Sequence, residues 1–171
     1  MKIVKKMPIA TDWDLLKEAI RNGQLSTGDE IELDDGSRWR VLDVQARRVL
    51  IWKYSGNGVC HIFNENTSNT YEGSDIQKYL KGDFKKTAPQ ELVEMADDDF
   101  FLLSKEELER YMPRTVDRIT TNEYGVTMWW WTRSESRDRA GGVWVTEPGG
   151  CLNMNYAACM LWVAPAVYIS A

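Results

Sequence analysis

A single histidine, His61, limits what catalysis this 171-residue chain could carry out. Any imidazole-activated nucleophile or imidazole general base would rest on it alone. It lies in the apolar run Val59-Cys60-His61-Ile62-Phe63. Neighbouring positions of a strand point to opposite faces, so Cys60 and His61 form no local dyad. No partner constellation accompanies His61, which reads as structural. The three cysteines, Cys60, Cys151 and Cys159, are an odd number without CxxC spacing. That argues against a zinc site or a disulfide framework and for small buried hydrophobes, with one Cys151–Cys159 hairpin bridge left open. There is no HExxH, and the triplet Asp97-Asp98-Asp99 lacks the spaced ligands and glycine of a calcium loop. Gly56-Asn57-Gly58 and Gly141-Gly142 lack the following helix and lysine that would make a phosphate loop. These residues imply no metal, no cofactor and no catalytic set.

The remaining chemistry is that of a binding surface, and it concentrates between Val126 and Ala171. Five of the eight tryptophans lie there, around a polar insert with Arg137-Asp138-Arg139 and Asn153-Met154-Asn155-Tyr156. A rigid aromatic frame around an irregular polar segment suits recognition. Along a strand, Trp129 and Trp131 would share one face and Trp130 the other. Most of that aromatic surface is expected in the core, with a carbohydrate-stacking platform as the alternative for one face. Arg133 is either a structural arginine donating to loop carbonyls or a ligand contact.

The elements that must position this segment are legible in order. Thr11 or Asp12 can cap a helix carrying Trp13, Leu15, Leu16, Ala19 and Ile20, ended by Gly23. Residues 30–33, 39–44 and 49–54 predict a three-stranded meander turned at Asp34-Asp35-Gly36-Ser37. Val59–Phe63 reads as a short strand and 64–70 as patternless surface. Ser74 caps a helix stopped by Gly82, Phe84 anchors the core, and Pro89 opens a further helix. Phe100–Leu103 is a buried strand. Ser104 and Glu107 then form a capping box for a helix ending before Pro113. Residues 114–125 form a polar connector. Strands at 127–133, 142–146 and 161–169 close the chain, with Pro165 suggesting an edge or bulge in the last.

Length and composition fit one globular domain over 1–171, 43% hydrophobic and 27% charged. A net charge of −5 argues against a nucleic-acid partner. No signal peptide or membrane-spanning run is evident, so the chain is expected to be cytoplasmic as synthesised, with incorporation into a phage virion open.

The ordered motifs resemble an uncharacterised family of bacterial and phage-associated proteins. Its C-terminal signature runs close to W-W-L-R-S-P, a polar loop with A-x-x-V and a glycine, then G-V-R-P-A-L-W-I. Here the matching stretches are Trp130-Trp131-Thr132-Arg133-Ser134-Glu135, Ala140 to Val145, and Trp162 to Ile169. Gly28-Asp29-Glu30-Ile31, Trp39 to Val44, Ile76 to Phe84 and Phe101 to Glu107 fit its N-terminal half. The resemblance spans nearly the whole chain. It implies an α+β fold of C-type-lectin type, shared with formylglycine-generating proteins, and with it the variable proteins of diversity-generating retroelements. In those systems Asn codons are copied with errors at adenines. Such errors cannot produce Trp, Met, Glu, Gln or Lys, which makes Glu135, Trp144, Met154, Met160 and Trp162 poor candidates for diversified positions. Arg137, Asp138, Arg139, Asn153, Asn155 and Tyr156 are allowed products. Three positions depart from the signature: Glu135 for Pro, Trp162 for Gly and Ala164 for Arg. They would place a binding face near themselves if they are altered positions, although adenine changes alone cannot turn an Arg codon into Ala.

The resemblance therefore implies a non-enzymatic domain that binds an unknown protein or carbohydrate ligand. Its contacts would be Glu135, Arg137, Asp138, Arg139, Trp144, Asn153, Asn155, Tyr156 and Trp162, with Trp144, Tyr156 and Trp162 as anchors. Alternatives are an undiversified phage or cell-surface adhesive module, and a formylglycine-generating-type enzyme, which would need Cys151 and Cys159 as a copper-binding pair.

Overall fold

The computed structural model describes residues 12–171; Thr11, one of the two caps expected for the first helix, lies outside them. Asp12 caps that helix, α1 (Trp13–Arg21), its carboxylate accepting the Asp14 and Leu15 backbone N–H groups at 3.1 Å. Leu16, Ala19 and Ile20 face inward from one side of α1. The meander follows as β1 (Glu30–Glu32), β2 (Arg38–Val44) and β3 (Arg48–Ser55), with Gly36 at φ +79° in its first turn. Then come β4 (Cys60–Ile62), α2 (Asp75–Lys81), α3 (Asp83–Thr87), α4 (Gln90–Met95), β5 (Phe101–Leu102) and α5 (Lys105–Tyr111). The capping box of α5 is complete: Ser104 Oγ accepts from Glu107 N–H at 3.0 Å, and the Glu107 carboxylate accepts from Ser104 N–H at 2.9 Å.

The C-terminal segment forms β6 (Trp130–Glu135), β7 (Gly142–Thr146), β8 (Leu152–Tyr156), β9 (Met160–Trp162) and β10 (Pro165–Ser170). The result is a mixed α+β fold with two five-stranded sheets, ordered β1-β2-β3-β10-β5 and β4-β9-β6-β7-β8, and short helices. No helix among the described residues is long and apolar enough to cross a membrane. Two expectations need correction. The single strand over 161–169 is two strands in different sheets, divided by Val163 and Ala164. Pro165 is neither at an edge nor in a bulge. It is the first residue of β10, which lies between β3 and β5, and a strand's first position tolerates a missing N–H. Strand β8 was not foreseen, because its asparagines are poor strand formers.

Trp130 and Trp131 explain how the sheets join. Successive strand residues face opposite ways, so each indole enters a different apolar cluster. Trp131 belongs to the cluster that also holds Phe63, Val143, Val145 and the buried residues of α1, α2 and α4, its ring centroid 5.4 Å from that of Phe63. Trp130 packs with Leu50, Trp52, Leu108, Met112 and Trp162, its ring centroid 5.1 Å from that of Trp52. Both indole N–H groups donate to main-chain carbonyls, Trp131 to His61 at 2.8 Å and Trp130 to Arg118 at 3.0 Å. Trp129, outside the strand, remains 38% exposed. The expected alternation therefore holds for the two buried rings.

The polar connector contains an unforeseen buried cation. Arg118 ends a 3-10 turn, Thr115–Arg118, and its guanidinium donates to the carbonyls of Met112, Pro113 and Gly150 at 2.7, 3.4 and 3.5 Å. It enters no ion pair among the described residues; carbonyl dipoles replace the lost hydration. This closes the connector onto the β7–β8 turn so tightly that a Cβ on Gly150, at φ +91°, would lie 1.9 Å from the Thr115 carbonyl oxygen. Gly150→Ala is expected to destabilise the fold by about 2–4 kcal/mol through backbone displacement. Urea unfolding measures this, and a loss below about 0.5 kcal/mol would contradict the packing described.

Candidate functional site

The β6–β7 loop and the start of α5 enclose an open groove of about 690 Å³. Its lining includes Tyr71, Lys105, Glu106, Arg133, Glu135 and Trp144. Three local devices fix the walls. Ser136 N–H donates to the Gly142 carbonyl at 2.8 Å, and Gly142 N–H to the Arg139 carbonyl at 3.0 Å. The Asn69 carboxamide donates to the carbonyls of Ser136 and Gly142 at 3.3 and 3.0 Å, clamping both ends of the loop. Gly141 takes φ +71°, and a Cβ there would stand 3.0 Å from the Thr67 carbonyl oxygen. The backbone of 136–142 is thus held by main-chain and Asn69 contacts, while Arg137, Asp138 and Arg139 extend into solvent.

The opposite wall is tied to β6. Lys105 N–H donates to Ser134 Oγ at 2.9 Å. Arg133 pairs with Glu107, donates to the Leu102 carbonyl at 2.7 Å and sits 5.5 Å from the Phe101 ring centroid. This is the structural reading of Arg133, with a strand carbonyl in place of a loop carbonyl. Lys105 pairs with Glu109 at 2.7 Å and stands 5.1 Å from the Trp144 ring centroid. Glu135, Arg137 and Asp138 enter no ion pair among the described residues. The groove therefore presents free charges of both signs beside one half-buried indole.

Four of the expected contacts, Glu135, Arg137, Asp138 and Trp144, line this groove together. Two more adjoin it. The pairing of Trp144 with Met154 and of Gly142 with Tyr156 puts Trp144 and Tyr156 on the same face, and the Arg139 guanidinium lies 5.9 Å from the Tyr156 ring. Asn153 and Asn155 do not converge. Opposite Val145 and Val143, they lie on the other face of β8, and Asn153 donates to the Glu147 carboxylate at 2.7 Å.

Trp162 must be withdrawn as a surface anchor. It pairs with Trp130 across parallel β9 and β6, and its side chain joins the Trp130–Trp52 cluster, leaving 7% exposed. A Cβ on Gly58 would stand 2.7 Å from this ring, so the ring fills space kept open by that glycine. Ala164 is fully buried, which removes the face expected near 162 and 164. The cysteines are free, as the leading reading of them expects, but they are not the buried hydrophobes it describes: Cys60 and Cys159 are half-buried and Cys151 is exposed. Cys151 and Cys159 flank the five residues of β8, and a strand rise of about 3.3 Å per residue holds their Cα atoms well beyond disulfide reach.

Asn69, Thr70, Tyr71, Lys105 and Glu106 were missed as groove residues. Lys105 and Glu106 carried only a helix-start signal, and 64–70 carried no periodicity at all. Among the described residues, no group of three or more His, Cys, Asp or Glu side chains could hold a metal ion. Comparison of the chain with family models, curated proteins and solved structures finds no match in any of the three.

Burial pushes the Tyr71 phenol up to about 12, although the Leu102 backbone and Arg133 pull it down. Among the described residues the Tyr71 hydroxyl makes no hydrogen bond of good geometry, so the Leu102 contact is a weak one. Tyr54 and Tyr111 are also raised to about 12, again chiefly by burial. Between pH 10 and about 12 the native state then binds more protons than the unfolded chain, so stability falls as pH rises through that window. Urea midpoints recorded across it should decline, and less steeply in Tyr71→Phe. An equal slope would remove Tyr71 from the effect. At neutral pH the same substitution should change stability by no more than about 1 kcal/mol.

Proposed function

We propose that this chain is a non-enzymatic binding domain of C-type-lectin type that takes a protein or carbohydrate ligand at the β6–β7 groove. The observation carrying this reading is the groove's division of labour. Its backbone is fixed by contacts that do not depend on the side chains of residues 137–140, while Glu135, Arg137 and Asp138 project uncommitted charges beside Trp144. Such a surface changes its specificity without changing its frame. That property suits the target protein of a diversity-generating retroelement. Arg137, Asp138, Arg139 and Tyr156, all reachable from Asn codons through adenine changes, lie on or next to the groove. Trp144, which is not reachable, forms part of the fixed wall.

The reading assigns unequal roles to the expected contacts. Selection of ligands from a displayed peptide library and a glycan array would supply a binder. Trp144→Ala should then weaken it by about 2 kcal/mol or more, the loss typical of a central aromatic anchor. Asn153→Ala should stay within about 0.5 kcal/mol, as a residue outside the contact does. Binding indifferent to both Trp144→Ala and Arg137→Ala would sink the groove as the site. Diversification has its own test in the flanking DNA: a reverse-transcriptase gene and a template repeat differing from this gene only at adenines. A repeat differing at all four bases would remove diversification and leave the binding domain standing.

A further inference from the structure

A second cavity, which shares no lining residue with the groove, has a lysine in its wall. Lys53 stands near the end of β3 on the same face as Val49 and Ile51, opposite Trp39 of β2. It is 9% exposed, and it lines a space of about 250 Å³ together with Asn57, whose carbonyl its Nζ meets. The apolar part of the cavity wall includes Trp39, Val59, Tyr79, Phe84, Ala88 and Pro89, and the polar part includes Asp35 and Thr87. Drug-sized ligands occupy pockets of about 300 Å³ and upward, so this one suits a single small ring or a branched chain.

Lys53 is not accounted for by structure alone. Its ammonium would offer three donors. Its one hydrogen bond among the described residues is to the Asn57 carbonyl. It enters no ion pair among the described residues, and residues 1–11 include no Asp or Glu that could supply one. The nearby Asp35 carboxylate is engaged by Ser37, from its N–H at 2.9 Å and its Oγ at 2.6 Å. Burial lowers the Lys53 pKa, against the opposing pull of Asp35 and Glu123, which enlarges the fraction of neutral amine.

We propose that this cavity is a binding site for a small apolar aldehyde, which condenses with the Lys53 amine. A carboxylate ligand would meet the Asp35 charge in the wall of the same cavity, whereas a neutral carbonyl brings no charge. The aromatic and proline walls take the apolar body. The amine lone pair attacks the aldehyde carbon. The two amine protons pass to the carbonyl oxygen, which leaves as water, and a C=N bond joins Nζ to the ligand. No oxidant or reductant takes part. This site is separate from the β6–β7 groove and independent of its function.

The test treats the full chain with benzaldehyde and sodium cyanoborohydride at neutral pH, so that any imine is trapped as a benzyl amine, and maps the adducts by peptide mass. Lys53 should be labelled first, about 10-fold faster than any other amine of the chain, as a buried nucleophilic lysine is. Two cavity-filling substitutions, Ala88→Trp and Val59→Trp, keep the amine and narrow the space. In whichever retains the native circular dichroism spectrum, labelling of Lys53 should fall to the rate of the exposed lysines. Adducts spread evenly over Lys78, Lys81, Lys85 and Lys86 with Lys53 no faster, or a Lys53 rate unchanged by a filled cavity, would overturn the proposal.

Discussion

Strand β6 is held from both sides by two adjacent indoles, and the candidate site depends on that constraint. Trp131 is locked among the side chains under α1, α2 and α4, and Trp130 among those under α5. Each indole N–H is also fixed to a main-chain carbonyl. A strand anchored in two cores can neither slide nor roll, because either movement would expose an aromatic surface on one side and overpack the other. The residues beyond the two indoles, Arg133 to Asp138, inherit that position. Arg133 extends the anchoring to β5 and α5 through the Leu102 carbonyl and Glu107. Rigidity passes outward from the core in steps and ends where the charges become free.

Placing the proposed recognition surface on so rigid a base has an energetic reason. Binding costs the entropy of whatever it orders. A loop whose main chain is already closed by hydrogen bonds leaves only the side-chain rotamers of Glu135, Arg137 and Asp138 to be ordered, and Trp144 has few to lose. The pairing of Lys105 with Glu109 serves the same end, since it holds a long flexible cation beside the indole.

The parts of this architecture readable from sequence are those set by near neighbours. The meander with its Gly36 turn, the cap at Asp12 and the reciprocal box of Ser104 and Glu107 follow from residues a few positions apart. The polar loop and Trp144 were legible for the same reason. What escaped was set by distant partners. Trp162 looked like a surface anchor because it stands where the resembled signature has glycine; its parallel neighbour in the buried cluster, Trp130, lies 32 residues upstream. The passage of the chain from one sheet to the other before Pro165 is invisible to a periodicity that continues through it. Arg118 sits in a stretch with no pattern because its partners are carbonyls, which every residue has. Lys105, Glu106 and Tyr71 entered the groove through tertiary placement alone.

The Asn69 clamp has a practical consequence. Its carboxamide grips only the carbonyls of Ser136 and Gly142, groups present whatever side chains occupy those positions. The four residues between Ser136 and Gly141 thus form a cassette whose contents are not inspected by the clamp that closes it. A grafted loop of the same length would inherit its take-off and landing points, provided Gly141 retains its left-handed turn. The domain is in that sense a ready display scaffold, in which one amide side chain from a distant segment stands in for the designed hairpin turn an engineer would otherwise have to build.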